Sequence, residues 1–204
     1  MVEKEQRINI ALSGGPCTGK STLAAYLTYR LKMEGFDYDS IGEESRRLKT
    51  EFGQFESPVE RCYMWMQQDR EERRSNAQDG FITDTPLFHL FIGARLYQAT
   101  RKDLMVVREL QRQSISATER YEIIAIAQDP REFPYKTDNS RSSEEETSTK
   151  LHGMMRNFIE LYFPEKLLLV SGTPEERGDQ VVTQLKILRA IRANELLNTE
   201  QNLS

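Results

Sequence analysis

One stretch of the chain carries residue types at a spacing that chemistry requires. Gly14-Gly15-Pro16-Cys17-Thr18-Gly19-Lys20-Ser21 fits the pattern G-x-x-x-x-G-K-[ST]. Glycines let the backbone turn so that successive N–H groups point at phosphate oxygens. A helix starting where the loop ends adds the positive end of its dipole. Lys20 is then placed to bridge the β and γ phosphates of a nucleoside triphosphate, and the Ser21 hydroxyl to ligate Mg²⁺. The pattern needs a strand before it and a helix after it. Residues 8–12 and 22–31 supply both. The expected cofactors are therefore a nucleoside triphosphate and Mg²⁺, held along Gly14 to Thr22. Thr22 reads most simply as helix-stabilising, and Cys17 as a small loop filler.

Triphosphate binding alone does not separate a kinase from a GTPase or a motor ATPase. The sequence has no N-K-x-D guanine motif and no apolar run ending in paired acids. Residues 80–84, Gly-Phe-Ile-Thr-Asp, read as a strand ending in one acid. Strand ends on the carboxyl side of an open parallel sheet face the ligand crevice. Asp84 is thus the first candidate to hold Mg²⁺ or to take a proton from an acceptor, and Thr85 is expected to cap the helix that follows. Glu43-Glu44-Ser45-Arg46-Arg47 follows a weaker strand. Glu43 is a second candidate base there, and Arg46 a candidate phosphate holder. An exposed, charged helix start is the alternative for that segment.

Residues 128–142 turn polar after the most convincing strand. They carry Arg131, Lys136 and Arg141. Kinases bring cations over the moving phosphoryl group when a lid closes, so Arg131 and Arg141 are candidate lid cations. A solvated loop has the same composition. Other residues read as structure. Trp65, Met64 and Met66 suit a core better than a pocket, and His89 suits a packed helix. His152 gives no sharp reading. Lys186, Arg189 and Arg192 share one helix side and read as a solvated stripe.

The elements that must position these groups alternate along the chain. Strands are expected at 8–12, 38–41, 80–84, 121–127 and 166–171. Helices are expected at 20–34, 58–77, from 85–86 through Leu96, 102–116, from Ser142 or Ser143 to 161, and 174–197. Ser57-Pro58-Val59-Glu60 and Thr173-Pro174-Glu175-Glu176 have capping-box starts. Such alternation means crossover connections. The fold class is α/β, three layers, with a central parallel sheet of about five strands and helices on both faces. At 204 residues, one domain spanning 1–204 is expected, with a lid segment at 128–142.

Composition narrows the function classes. With 28 Lys+Arg against 32 Asp+Glu the formal charge is −4, which excludes a general polycation but not a local basic groove. Mean hydropathy is −0.64, consistent with many surface-rich helices. Two cysteines, Cys17 and Cys62, are too few for a disulfide framework, so a reducing, cytoplasmic setting is the default. No apolar run reaches the length of a membrane span. Oligomeric state is not readable.

Together, residues 14–23, Glu43-Glu44-Ser45-Arg46, Ile82-Thr83-Asp84-Thr85, Asp138-Asn139-Ser140-Arg141 and Glu175-Glu176-Arg177 resemble the P-loop kinase domains typified by nicotinamide riboside kinase. The thymidylate kinase group is more distantly similar. The resemblance implies a P-loop NTPase fold and transfer of the γ phosphate of ATP to a hydroxyl of a nucleoside or nucleobase. Asn139 stands where that family has Gly. The family's adenylyltransferase part is not found in this sequence. The stretch Gly14 to Ala25 is also similar to kinases of bacteriophages that phosphorylate 5-hydroxymethyluracil within DNA. That similarity implies a hydroxymethylpyrimidine-containing DNA acceptor, a role in DNA modification and a host-cytoplasmic setting. A small-molecule nucleoside kinase and a regulatory P-loop ATPase are the rival readings.

Overall fold

A computed structural model of the chain describes residues 7–42, 57–96, 98–132 and 145–202. Glu43, Glu44, Arg46 and Arg141 lie outside the described residues. In chain order the elements are β1 (Ile10–Ser13), α1 (Lys20–Met33), β2 (Tyr38–Ile41), α2 (Pro58–Arg74), β3 (Gly80–Thr83), α3 (Leu87–Leu96), α4 (Arg101–Thr118), β4 (Ile123–Ala127), α5 (Glu145–Tyr162), β5 (Leu167–Val170) and α6 (Pro174–Asn202). The five strands make one sheet in the order β2-β3-β1-β4-β5, and every neighbouring pair is parallel. The expected α/β architecture is therefore present. Within the described residues no helix is long and apolar enough to cross a membrane.

Side chains alternate across each strand, and the strands obey this to build two cores. Ile10, Leu12, Ile82, Ile123 and Ala125 face Leu23, Leu27 and Leu31 of α1 and Val181, Val182 and Leu185 of α6. Ala11, Phe81, Ile124 and Ile126 face α2 to α5, through Trp65, Phe88, Leu110 and Phe158 among others. Central strands buried on both faces need near-continuous apolar sequence, which is why β1 and β4 are legible as Ile-Ala-Leu-Ser and Ile-Ile-Ala-Ile-Ala. Met64 and Trp65 are core, as expected, while Met66 is exposed. The Trp65 indole donates to Ser114 Oγ at 3.0 Å.

Caps fix several helix starts. Ser57 accepts from the Glu60 N–H while the Glu60 carboxylate accepts from the Ser57 N–H, a capping box at α2. Thr173 and Glu176 make the same reciprocal pair at α6. Helix α3 departs from expectation. The Thr85 hydroxyl turns to Asp84 Oδ1 at 3.4 Å. The Leu87 N–H instead donates to the hydroxyl of Tyr121, 34 residues away, at 3.2 Å. The supposed solvated stripe on α6 is also engaged. Lys186 pairs with Glu34 at 2.7 Å, Arg189 with Asp79, and Arg192 donates to the Arg7 carbonyl at 2.8 Å.

Behind the sheet end that carries Asp84 lies a buried polar network. The Tyr121 hydroxyl lies 2.8 and 2.9 Å from the two Glu72 carboxylate oxygens. Arg120 donates to Glu72 at 3.2 Å and to Asp69 at 2.6 Å. Gln68 Nε2 donates to Thr83 Oγ1 at 3.1 Å. Burial pushes the Glu72 carboxyl up to about 7, against the pull of the Arg120 guanidinium. A carboxyl whose folded pKa exceeds its unfolded value favours folding most when protonated. That stability is complete below the unfolded pKa and is lost as pH rises through the folded one. Glu72 should therefore make the urea midpoint fall with pH between about 5 and 7, against the opposite slope from His89 and His152, whose lowered pKa values favour folding as pH rises, and Glu72→Gln should remove its share of the slope. An unchanged slope in Glu72→Gln would assign it to other groups.

Candidate active site

The loop between β1 and α1 has the backbone that the motif demands. Gly14 and Gly19 have φ of 132° and 78°, and Cys17 has φ 62°, the one non-glycine residue with positive φ among the described residues. These left-handed positions coil the loop so that it arrives at α1 with no side chain capping the helix start. The start of α1 thus turns its positive dipole end toward the loop, where an anion is favoured. The Gly15 carbonyl is taken by two donors, Thr18 Oγ1 at 2.9 Å and Lys20 Nζ at 2.7 Å. Pro16 and Cys17 are half-buried, while Ser21 and Thr22 are exposed.

The sheet order brings the acid to the loop. β3 pairs directly with β1, Ile10 opposite Ile82 and Ala11 opposite Thr83. Asp84, the next residue, is buried at the sheet's carboxyl end. Its Oδ2 accepts from Ser21 Oγ at 2.6 Å. Two protein oxygens side by side suit Mg²⁺, which prefers oxygen ligands, keeps several waters and shares substrate phosphates. No cluster of three His, Cys, Asp or Glu among the described residues could hold a metal alone. A triphosphate-bound Mg²⁺ therefore fits this donor set better than a protein-caged ion.

Two histidines stand beside the loop, and only folding brings them there. His89 on α3 lies 2.9 Å from the Ser13 hydroxyl, through Nε2. Burial, then the nearby Lys20 and His152, hold its pKa well below the ordinary range, so the ring is neutral at pH 7. His152 on α5 lies against Gly14. His89 was expected as a packed histidine, and it is buried, but its partner is the residue that opens the loop.

Of the expected lid cations, Arg131 forms a two-pronged pair with Asp129, at 3.0 and 2.9 Å, on an exposed turn. A cation not expected to act lies closer to the loop. Arg177, 2% exposed, donates to the Thr18 carbonyl at 3.3 Å, to the Gly172 carbonyl at 2.9 Å and to Glu132 at 2.7 Å. It ties the loop, the turn after β4 and the start of α6 together. Arg177 was legible only as part of a short acidic-basic run before the last helix.

A left-handed glycine loop between β1 and α1, with an acid from the adjacent parallel strand at its serine, defines a P-loop fold. A family model described as an AAA domain, AAA_28, matches residues 9–177. The chain belongs to this family. No curated protein sequence matches it. Among solved structures, NadR protein in complex with NR is similar over 86% of this chain and 51% of that one, with TM-score 0.68 and 18% identity. NadR protein in complex with NAD and AMP-PNP gives TM-score 0.68 and 20% identity over 86% and 49%. Deoxyadenosine kinase from M. mycoides, with the products dCMP and dCDP, gives TM-score 0.62 and 14% identity over 89% of this chain and 100% of that one. The chain spans about half the length of the NadR proteins it matches. At these identities the likeness shows the fold.

Helix α5 is fastened to the loop so tightly that one methyl group tests the contact. A Cβ on Gly15 would stand 2.2 Å from the Ser148 carbonyl oxygen, which is backbone and cannot swing aside. Gly15→Ala should cost about 1–3 kcal/mol, the range for overpacking a close contact, read as a lower urea midpoint. Gly153→Ala on the same helix, where a Cβ meets nothing within 4 Å, should not destabilise the fold. Equal effects of the two would deny the contact its weight.

Proposed function

We propose that the protein is an ATP- and Mg²⁺-dependent kinase that transfers the γ phosphate to a hydroxyl of a nucleoside or nucleobase. The 2.6 Å hydrogen bond between Ser21 and Asp84 carries this reading. It joins the phosphate loop to a single acid, followed by Thr85 and not by a second acid. Likeness to NadR and to deoxyadenosine kinase supports the same class, and their ligands suggest a nucleoside-like acceptor.

The roles follow from position. Lys20 and the loop amides hold the phosphates. Ser21 and Asp84 hold Mg²⁺, which when bound neutralises charge on the phosphate oxygens. Asp84 accepts the acceptor's proton, or Glu43 does so from outside the described residues. Arg131 releases Asp129 to serve as a lid cation, and Arg141 joins it. Phosphoryl transfer asks the protein mainly for positioning and charge stabilisation. Residues 14–22 with Asp84 are suited to both. A small-molecule nucleoside kinase in the cytoplasm is the plain form of this reading. Phosphorylation of 5-hydroxymethyluracil in phage DNA is its narrower form, resting on the similarity of residues 14–25 alone.

Transfer of label from γ-labelled ATP tests the reading. Free nucleosides, DNA containing 5-hydroxymethyluracil and a no-acceptor control are compared. Label should reach a hydroxyl acceptor, and Lys20→Ala should lower the rate by about 100-fold or more. Hydrolysis at one rate with and without every acceptor would identify a regulatory ATPase and sink the kinase. Label on nucleosides but not on DNA would remove the narrower form. In the same assay Asp84→Asn should raise the Mg²⁺ concentration for half-maximal activity by about 10-fold or more.

A further inference from the structure

Helix α5 meets the phosphate loop on one face. Ser148 Oγ donates to the Pro16 carbonyl at 2.5 Å. One turn later on that face comes His152. Its Nδ1 is 3.2 Å from the point where a Gly14 side chain would begin. The residue is 4% exposed, and neither ring nitrogen completes a hydrogen bond of full geometry, the Ala127 carbonyl being the one backbone acceptor that acts on the ring. An imidazole always carries at least one N–H donor, and native proteins rarely leave a buried donor unmet. The Ala127 carbonyl can accept one ring N–H, which leaves the other nitrogen of a ring packed against a phosphate-holding loop to gain a proton and a partner only when an anion arrives.

We propose that His152 is a ligand of the terminal phosphate of the bound nucleoside triphosphate, donating from its ring to an oxygen beside Gly14. This rests on the nucleotide-binding reading above. The surroundings agree with a role that begins only when the anion arrives. Burial first, then Lys20 of α1 and Arg156 of α5, disfavour the imidazolium, while the Ala127 carbonyl and Asp129 after β4 favour it. The balance lies below the ordinary histidine value. A charge on His152 would in turn disfavour one on His89 of α3. A phosphate placed here reverses the local charge, and an adjacent anion stabilises imidazolium. Binding a triphosphate should therefore take up a proton, and affinity should rise as pH falls through the histidine range.

The test is calorimetric titration of the full chain with AMP-PNP and with ADP, both with Mg²⁺, in buffers of different ionisation heat at pH 6 and 8. Wild-type protein should bind AMP-PNP more tightly at the lower pH and take up a proton. His152→Gln should lose about 10-fold in AMP-PNP affinity, together with the proton uptake, and change ADP affinity by no more than about twofold. Equal losses for both ligands, no loss, or proton uptake that persists in His152→Gln would overturn the proposal and leave nucleotide binding standing. Wild-type protein that binds no AMP-PNP would overturn both. Should the substitution loosen α5, the wild-type His152 ring can be followed by NMR. Its resonances should move to the protonated form with AMP-PNP and not with ADP. Rings unmoved by AMP-PNP would sink the proposal without any variant.

Discussion

The pairing of β3 directly against β1 is the constraint on which the site depends. With Ala11 opposite Thr83, the two chains leave the sheet at the same level. One continues into the phosphate loop and the other into Asp84. No intervening strand separates them, so a carboxylate reaches the loop serine without a long side chain or a bound bridge. A one-residue register slip would turn Asp84 to the other face and dismantle the donor pair. The apolar load of both strands, with Ile10 and Ile82 on one face and Ala11 and Phe81 on the other, makes such a slip costly.

The strand ends still need support from behind, because Asp84-Thr85-Pro86 cannot lean on its own side chains. Thr85 bonds only to near neighbours, its hydroxyl to Asp84 and its N–H to the Thr83 hydroxyl. The support comes from Gln68, Glu72 and Tyr121, which hold Thr83 and the first N–H of α3. Breaking one member of such a buried network leaves the others unsatisfied, which costs more than the single bond is worth. The network thus converts packing between α2, α3 and the α4–β4 turn into a fixed direction for the acid.

Local signals were the ones that could be read in the sequence. The loop motif, the capping boxes at Ser57 and Thr173 and the double-sided apolar strands are consequences of chain geometry over a few residues. They fixed the fold class and the loop, and β2 falls on residues 38–41 as expected. What escaped reading is set by contacts across long separations. Ser13 and His89 are 76 residues apart, and Pro16 and Ser148 are 132 apart. Nothing near His152 in the sequence distinguishes it from any other helix histidine. The Tyr121 cap on α3 escaped for the same reason, and the obvious local candidate, Thr85, competed for that reading. Arg189 and Arg192 looked solvated because their partners, Asp79 and the Arg7 carbonyl, come from other parts of the chain.

The guanidinium of Arg177 binds carbonyls from two loops and the Glu132 carboxylate at once. A buried cation with three fixed acceptors behaves as a rivet, since losing its carboxylate would strand a desolvated charge. The backbone of the first turn after β4 is therefore part of the chassis that carries the phosphate loop, so Arg131 would reach the site by swinging its side chain from Asp129 while the turn at Pro130–Glu132 stays in place.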